Sequence, residues 1–598
     1  MSSMDRARQR KMVRTGAAAL LATVTGALVI SAASVYDKAD MIDLLSVRGS
    51  YGAAEDIVNK PKQPSYTVKV GDIGKWEHPD DTPALGFFDK DGGYHLQQSD
   101  GAYKTKDPRW WSFYKGFDID SAVLDRDVTY YKNPANPKDT NGDTTWRCNN
   151  SPTGKHSTYS NRPNTTYSQA NYCDLIGLWV DPDSGDWYGL IHNEFSPQPH
   201  GDWLHFDAID LAVSSDGGRT WDIRETIISS PFETERDNEE AFPESTYFWG
   251  TGDPRLIVDI SSGYFYLGYG SRVVDKNGTW HAFHHHYARA PIADKMKAGS
   301  WKKWYQGKWE QPGLKGRESP IFPVDETNPD GYSHIDYDPK TPGFAEDQIK
   351  AGKLAPTTPL FWMDVGWNAH LGLWVGEPTH PDRANTKENH PQQFYATDDL
   401  TTQRWRLIGD TGENYKTRSA YRWMVDAKTA TLGNVLGKTF RAYCSFYCSQ
   451  SNSEFVNIAI DTDTPYEPVD KNAEYTVSSA AADVGILGKD KVKFTPTGDG
   501  AYTVETKEGI LGIDETEQAR AWAQQPRAFD KSEADKAGKQ WWIIPSRSHE
   551  DNKETGTVRL VNRWSGLVYS GKDGLVPARS WEHGDLKPEA QELTLKKA

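Results

Sequence analysis

Four acid-bearing stretches carry the residue types that bond-breaking chemistry needs. They are GFDIDSAVLD with Asp118 and Asp120, WYGLIHNEFSPQ with Glu194, WGTGDPRLIVD with Asp253, and MDVGWNAHLGLW with Asp364. Cleaving a glycosidic bond takes two carboxyl groups, one protonated to act as acid and one ionised as base or nucleophile. A third carboxylate holds their pKa values apart by like-charge repulsion. Glu194 ends an apolar run, where desolvation would raise its pKa and suit an acid. Asp253 lies in Gly-Asp-Pro-Arg, where Pro254 stiffens the chain and Arg255 would keep the carboxylate ionised. Asp118 and Asp120 alternate, so only one of them can face a shared site. The expected set is Glu194 as acid, with Asp253 and Asp120 as base or nucleophile and modulator in open order. Asp118, His192, Arg255, Trp249, Asp364, Trp367, Asn368 and His370 are the expected substrate contacts. Trp110, Trp249 and Trp367 are the rings expected to stack on a sugar face. Simpler roles compete: Asp253 as a turn residue before Pro254, Glu194 as a surface acid paired with His192, and each Trp as core.

Other chemistries are less well supported. WHAFHHHYARA brings together His281, His284, His285 and His286, and imidazole suits divalent metals. Adjacent strand residues point to opposite faces, so three consecutive histidines cannot ligate one ion, and a histidine-rich loop is expected. No Gly-rich phosphate loop and no Gly-x-Ser-x-Gly element is present. No cofactor and no metal is expected.

These groups need a scaffold, and the composition names its class. The 598 residues include 51 Gly and 34 Pro between short apolar runs, which favours an all-β chain over helical bundles. IGLWVDPDSGDWYGLIH and PRLIVDISSGYFYLGYGSR read as hairpins, with alternating apolar residues around Asp/Gly/Ser turns. Turn-plus-Trp endings recur at Trp110/Trp111, Trp221, Trp301 and Trp405, long intervals that suit four-stranded units with large inserted loops. A fifth unit spans Tyr421 to Ser445. One ending is specific: Ser214-x-Asp216-Gly217-Gly218-x-Thr220-Trp221 resembles the Asp-box of sialidase-like β-propellers. There the side chains satisfy an outer-strand turn and the Trp packs into the blade.

GDPRL and HNEF resemble elements of the five-bladed propeller glycosidases, the arabinanases, fructan hydrolases and their relatives. Their usual chain order is Asp, Asp, Glu, whereas Glu194 here precedes Asp253. The sialidases proper are a poorer match, because their Tyr/Phe-Arg-Ile-Pro opening is missing and Arg255, Arg272 and Arg289 fall at no recognised spacing. The tail from about 463 carries Gln540, Trp542, Leu560, Asn562, Ser565 and Gly566, which resemble the ricin-type β-trefoil pattern. Two of its three repeats are visible. The expected organisation is therefore a signal peptide at 1–33, a polar lead-in at 34–80, a five-bladed β-propeller at 81–462 and a β-trefoil at 463–598, with possible carbohydrate binding.

The N-terminus has Arg6, Arg8, Arg10, Lys11 and Arg14 before AAALLATVTGALVISAA, the pattern of a secretory signal peptide. The formal charge is −16 and becomes more negative once that segment is removed, which argues against nucleic acid or an anionic membrane as partner. An exported chain with Cys148, Cys173, Cys444 and Cys448 is expected to form disulfides, and proximity favours Cys148–Cys173 and Cys444–Cys448. The expectation is a secreted, monomeric glycosidase acting on a polysaccharide. A non-catalytic carbohydrate-binding protein and a metal-dependent lyase or phosphodiesterase are its rivals.

Overall fold

The structure is a computed structural model that describes residues 64–80, 82–100, 109–154, 171–195, 206–232, 240–379, 388–481 and 483–598. The expected signal peptide lies outside the described residues. Among those described, the chain is nearly all β, with three short α-helices at Arg126–Thr129, Thr145–Asn150 and Ala345–Lys350.

The first strand, β1 (Tyr66–Lys75), is set aside by its pairing, described below. β2 (Leu85–Phe88), β3 (Tyr94–Asp100), β4 (Trp110–Gly116) and β5 (Val123–Leu124) form a four-stranded antiparallel meander. A second comprises β6 (Asn171–Val180), β7 (Trp187–Phe195), β8 (Phe206–Ser214) and β9 (Asp222–Ile228). A third comprises β10 (Thr246–Asp259), β11 (Tyr264–Asp275), β12 (Trp280–Pro291), β13 (Lys302–Tyr305) and β14 (Lys308–Pro312). In the fourth, β15 (Asp364–Asn368) and β16 (Leu373–Glu377) are followed, past β17 (His390–Pro391), by β18 (Gln393–Thr397) and β19 (Arg406–Asp410). β20 (Lys416–Thr417) pairs back to β17. The last meander runs through β21 (Ala420–Asp426), β23 (Thr439–Phe446) and β24 (Glu454–Thr462), while β22 (Val435–Leu436) lies parallel to β15.

The lead-in contributes more than the sequence suggests. β1 lies inside it and pairs antiparallel with β24 from Tyr66–Thr462 to Lys75–Glu454, completing the last meander from the far end of the chain. Tyr66, Val68, Val70 and Ile73 then pack on Val456, Ile458 and Ile460.

Successive meanders share cores. Phe87, Trp111, Leu175 and Trp187 join the first and second; Ile209, Leu211, Phe265 and Leu267 join the second and third. Tyr266, Tyr287, Trp367 and Trp374 join the third and fourth; Val375, Phe394, Met424 and Phe440 join the fourth and fifth. Leu96, Trp423 and Tyr443 bring the fifth back onto the first. The first strands of successive meanders also meet, β2 with β6, β6 with β10, β10 with β15 and β15 with β21.

The Ser214–Trp221 turn joins β8 to β9 and is satisfied internally. Asp216 accepts from the Thr220 N–H at 2.9 Å and hydroxyl at 2.7 Å, and the Ser214 hydroxyl accepts from the Gly218 N–H at 2.9 Å. Trp221 donates to the Gly218 carbonyl at 2.9 Å and packs on Trp111 and Phe113. Cys148–Cys173 and Cys444–Cys448 form the two disulfides.

The C-terminal strands are β25 (Glu474–Ser479), β26 (Val492–Pro496), β27 (Tyr502–Thr506), β28 (Gly509–Gly512), β29 (Arg527–Phe529), β30 (Trp541–Arg547), β31 (Glu554–Asn562), β32 (Val568–Tyr569), β33 (Leu575–Val576) and β34 (Leu593–Lys597). Their pairings close a six-strand ring, β25–β26–β27–β30–β31–β34, with the hairpins β28–β29 and β32–β33 attached. Phe494, Val504, Trp541, Leu560 and Leu593 fill it. Charged pairs tie this barrel to the meanders: Arg563 to Asp426 at 2.8 Å, and Arg579 to Asp183.

Candidate active site

Asp253 sits where β10 departs from a regular ladder. The pairing with β11 shifts register between Phe248 and Thr251 and again between Gly252 and Arg255. Pro254 has no N–H to offer a ladder and fits such an irregularity. Asp253 itself has φ +52°, a region that Asp and Asn tolerate better than most residues. The bulge aims the carboxylate at its partners: Arg272 Nη2 donates to it at 3.1 Å, and His192 Nδ1 is 3.6 Å away. His192 Nε2 in turn lies 3.2 Å from Asp207, which also accepts from Trp249 Nε1 at 2.6 Å. Burial alone would pull His192 down, but Asp253 and Asp207 outweigh it and raise the imidazole to about 10. The ring is therefore an imidazolium between two carboxylates.

Two glycines make this approach possible. Gly250 has φ +107°, and a Cβ there would fall 2.3 Å from the Asp207 carbonyl oxygen. A Cβ on Gly252 would fall 2.4 Å from His192 Nε2.

Glu194 is buried on β7, cross-strand from Asp207. Arg109 donates to Glu194 at 3.0 Å and also bonds Asp174 of β6. The expected isolated acid in an apolar pocket is thus a member of a buried ion network. Replacing Arg109 with Met strips a guanidinium from two buried carboxylates. A loss of about 3–5 kcal/mol is expected, read from urea unfolding midpoints.

The fourth and fifth meanders supply a second carboxylate pair. Asp364 begins β15 opposite Glu377 of β16. Asp364 accepts from the Met424 N–H at 2.8 Å. Burial pushes it up to about 6 against the pull of that bond and of Arg255. Glu377 accepts from Arg422 Nε at 2.6 Å, and burial pushes it up to about 7 against Arg422. Arg255 stands between the two halves of the site. Burial weakens its charge while Asp253 and Asp364 favour it. Its Nη1 donates to the Pro254 carbonyl, not to Asp253, so Arg272 performs the role expected of Arg255. Beside these acids, Trp362 and Tyr421 stack at 5.1 Å, both half-buried, with φ +51° and +55°.

The structure thus brings together Asp253, His192, Arg255 and Asp364, with Glu194 linked through its Asp207 neighbour. Asp118 and Asp120 fall elsewhere, on the turn after β4. Asp118 bonds Ser121 at 2.7 Å, and exposed Asp120 pairs with Arg441 at 2.7 Å. Their alternation belongs to a turn, not a strand. Asn368 and His370 are also structural. Asn368 donates to the Gly437 carbonyl and accepts from the His370 and Leu371 N–H groups, and His370 meets Asp461 at 3.3 Å. Trp249 is 1% exposed, and Trp367 packs on Trp374, so both are core rings. Trp110 is half-buried.

The histidine run is strand β12, not a loop. His284 and His286 share a face, with ring centroids 6.2 Å apart, and are held by the carbonyls of Ala355 and Ser319. His285 is fully buried, and the side chain of His281 lies outside the described residues. Among the described residues no group of three or more His, Cys, Asp or Glu is placed to hold a metal.

Sequence reasoning missed Glu377, Asp207, Asp174, Arg109 and Arg422. Each is marked by burial of a charge, which becomes visible only once its partner is in place.

No family model matches the chain, and no curated protein does. Among solved structures, a GH43 β-1,3-galactosidase aligns at 10% identity and TM-score 0.32 over 67% of this chain and 95% of its own. A Bombyx mori GH32 β-fructofuranosidase aligns at 12% and 0.31 over 90% and 93%. The Fusarium graminearum α-L-arabinofuranosidase aligns at 12% and 0.30 over 65% and 98%. Likenesses this low carry no argument about this chain's fold or activity.

Proposed function

We propose that the chain is an exported glycosidase acting on a polysaccharide. In this reading the five meanders are the blades of a five-bladed β-propeller closed by β1, and the C-terminal ring is a ricin-type β-trefoil. One observation carries the catalytic part. Asp253 and Asp364, on the first strands of neighbouring meanders, both face Arg255, yet their surroundings differ. Asp253 lies against the Arg272 guanidinium at 3.1 Å and the His192 imidazolium at 3.6 Å. Asp364 is desolvated, with its pKa raised to about 6, which favours a carboxylic acid. Such a divergent pair is the arrangement that acid and base roles require.

Asp364 then protonates the leaving oxygen, and Asp253 serves as base or nucleophile. Glu377, raised to about 7 by burial, and Glu194, bonded to Arg109, are the further buried acids beside the pair. The stacked Trp362 and Tyr421 offer an aromatic wall for a sugar ring. This moves the acid from Glu194 to a residue later in the chain than Asp253.

The test is reducing-sugar release from a panel of purified polysaccharides by residues 34–598, beside a protein carrying Asp253→Asn and Asp364→Asn together. Release by the unaltered protein and none by the double variant is the expected result. Release by both would place the chemistry elsewhere. Binding to a glycan without release would favour a carbohydrate-binding protein instead.

A further inference from the structure

The barrel touches all five meanders, and on each of them at the end of the first strand. After β2, the Lys90 carbonyl accepts from the Trp522 N–H at 3.1 Å. After β6, Asp183 accepts from Trp581 Nε1 at 3.1 Å and pairs with Arg579. After β10, the Ser261 carbonyl accepts from the Arg547 N–H at 2.9 Å. After β15, the β26–β27 turn comes so close that a Cβ on Gly500 would fall 2.4 Å from the His370 backbone nitrogen. On β21 the contact is with Asp426, the last residue of the strand. A separately folding module tethered by a linker needs no such set of contacts.

The contact on β21 reaches nearest to the candidate acids. Arg563 holds Asp426 through Nε at 3.1 Å and Nη2 at 2.8 Å, a two-point grip that fixes direction as well as distance. Both residues are buried. Inside the barrel, Arg563 Nη1 donates to Asp499 at 2.7 Å and to Gln540 at 2.9 Å, and the guanidinium lies on the Trp542 ring at 4.5 Å. The gripping side chain is therefore itself held fast. Two residues before Asp426, Met424 supplies the N–H that Asp364 accepts, and four before it Arg422 donates to Glu377. On the neighbouring strand, Trp542 shares a core with Val365 and Trp367 of β15. The two strands that build the Asp364–Glu377 surroundings are thus bedded on the barrel. We propose that the barrel is a positioning module for these acids, with Arg563 the positioning residue that keeps β21 against Asp364. Its effect on turnover rests on the glycosidase reading; the hold itself does not.

The test compares residues 34–598 with Arg563→Lys, which keeps the charge but loses the two-point fork. Arg579→Lys makes the equivalent change at the second meander and serves as the control. Hydrogen exchange read by mass spectrometry should quicken about tenfold in peptides covering Ala420–Asp426 for Arg563→Lys, and stay unchanged there for Arg579→Lys. With both variants shown to be folded by circular dichroism, Arg563→Lys should lower kcat about tenfold with KM within about twofold, because a displaced acid slows chemistry more than binding. Arg579→Lys should leave both constants unchanged. Unaltered exchange in β21 would overturn the proposal, as would equal losses in the two variants, the result of a general structural role. Quickened exchange beside an unchanged kcat would also overturn it, leaving a hold that positions nothing. If Arg563→Lys does not fold, Asp426→Asn weakens the same contact from the other side and carries the same expectations. No turnover by the unaltered chain would sink the glycosidase reading, while the exchange comparison would still decide whether the barrel holds β21.

Discussion

The protein with Asp253→Asn is expected to fold normally and to lose at least about a thousandfold in kcat, within the range that removing an acid–base or nucleophilic group produces. Asn is the right replacement because of the backbone. At φ +52° Asn is tolerated nearly as well as Asp, whereas Ala would add strain unrelated to chemistry. The amide oxygen can still accept from Arg272, so the bond at 3.1 Å has a neutral successor. What disappears is the negative charge beside two cations. His192 can answer by shedding its proton, since Asp253 is the largest of the influences that hold the imidazolium against burial. The imidazole pKa should therefore fall from about 10, visible by NMR titration of the ring. A fall in kcat together with that shift would place Asp253 at the reacting centre and in the His192 couple. Unchanged kcat with a shifted His192 would leave Asp253 a purely structural counter-ion and remove the proposed mechanism.

How much of this was legible in one dimension depends on how far each residue's partner lies along the chain. Asp253 was legible because Pro254, its immediate neighbour, marks the break in β10. The Ser214–Trp221 turn was legible for the same reason, since donors and acceptors lie within four residues of one another. β1 was not, because its alternation is interrupted near Gly71 and its pairing partner is β24, near the far end of the meanders. Glu377 looked like any acid before a proline until Arg422 was placed on it. Asp118 and Asp120 erred the other way: alternation suggested a strand, but Ser121 closes a local turn on Asp118. The histidine run reads as a loop in the sequence, yet neighbouring carbonyls and Ser271 satisfy His284 and His286 inside a buried strand. Local patterns thus fixed turns and hairpins, while the charged site was assembled from contacts between meanders.

The second large effect should appear as a conflict between stability and activity at Asp364. Its proton is held more tightly in the folded protein, with the pKa raised from 3.8 to about 6 by burial. A raised carboxylate contributes its stability below the unfolded value and loses it as pH climbs through the folded one. The window therefore runs from about pH 4 to pH 6, and the loss approaches about 3 kcal/mol at its upper end. Asp364→Asn removes that titration, and its amide oxygen can still accept from the Met424 N–H. It also removes the charge that helps hold Glu377 at about 7, so Glu377 should ionise more readily beside Arg422. The variant should match the unaltered protein at pH 4 and exceed it by about 2 kcal/mol at pH 8, measured as urea unfolding midpoints with unchanged m-values. Its hydrolysis should fall by about 10²–10⁴, and the alkaline limb expected of the unaltered protein above pH 6 should vanish from what remains. A stability difference independent of pH would mean that Asp364 is already ionised throughout and serves no acid role. A stabilised but fully active variant would assign the proton to another group, with Glu377 the first to examine.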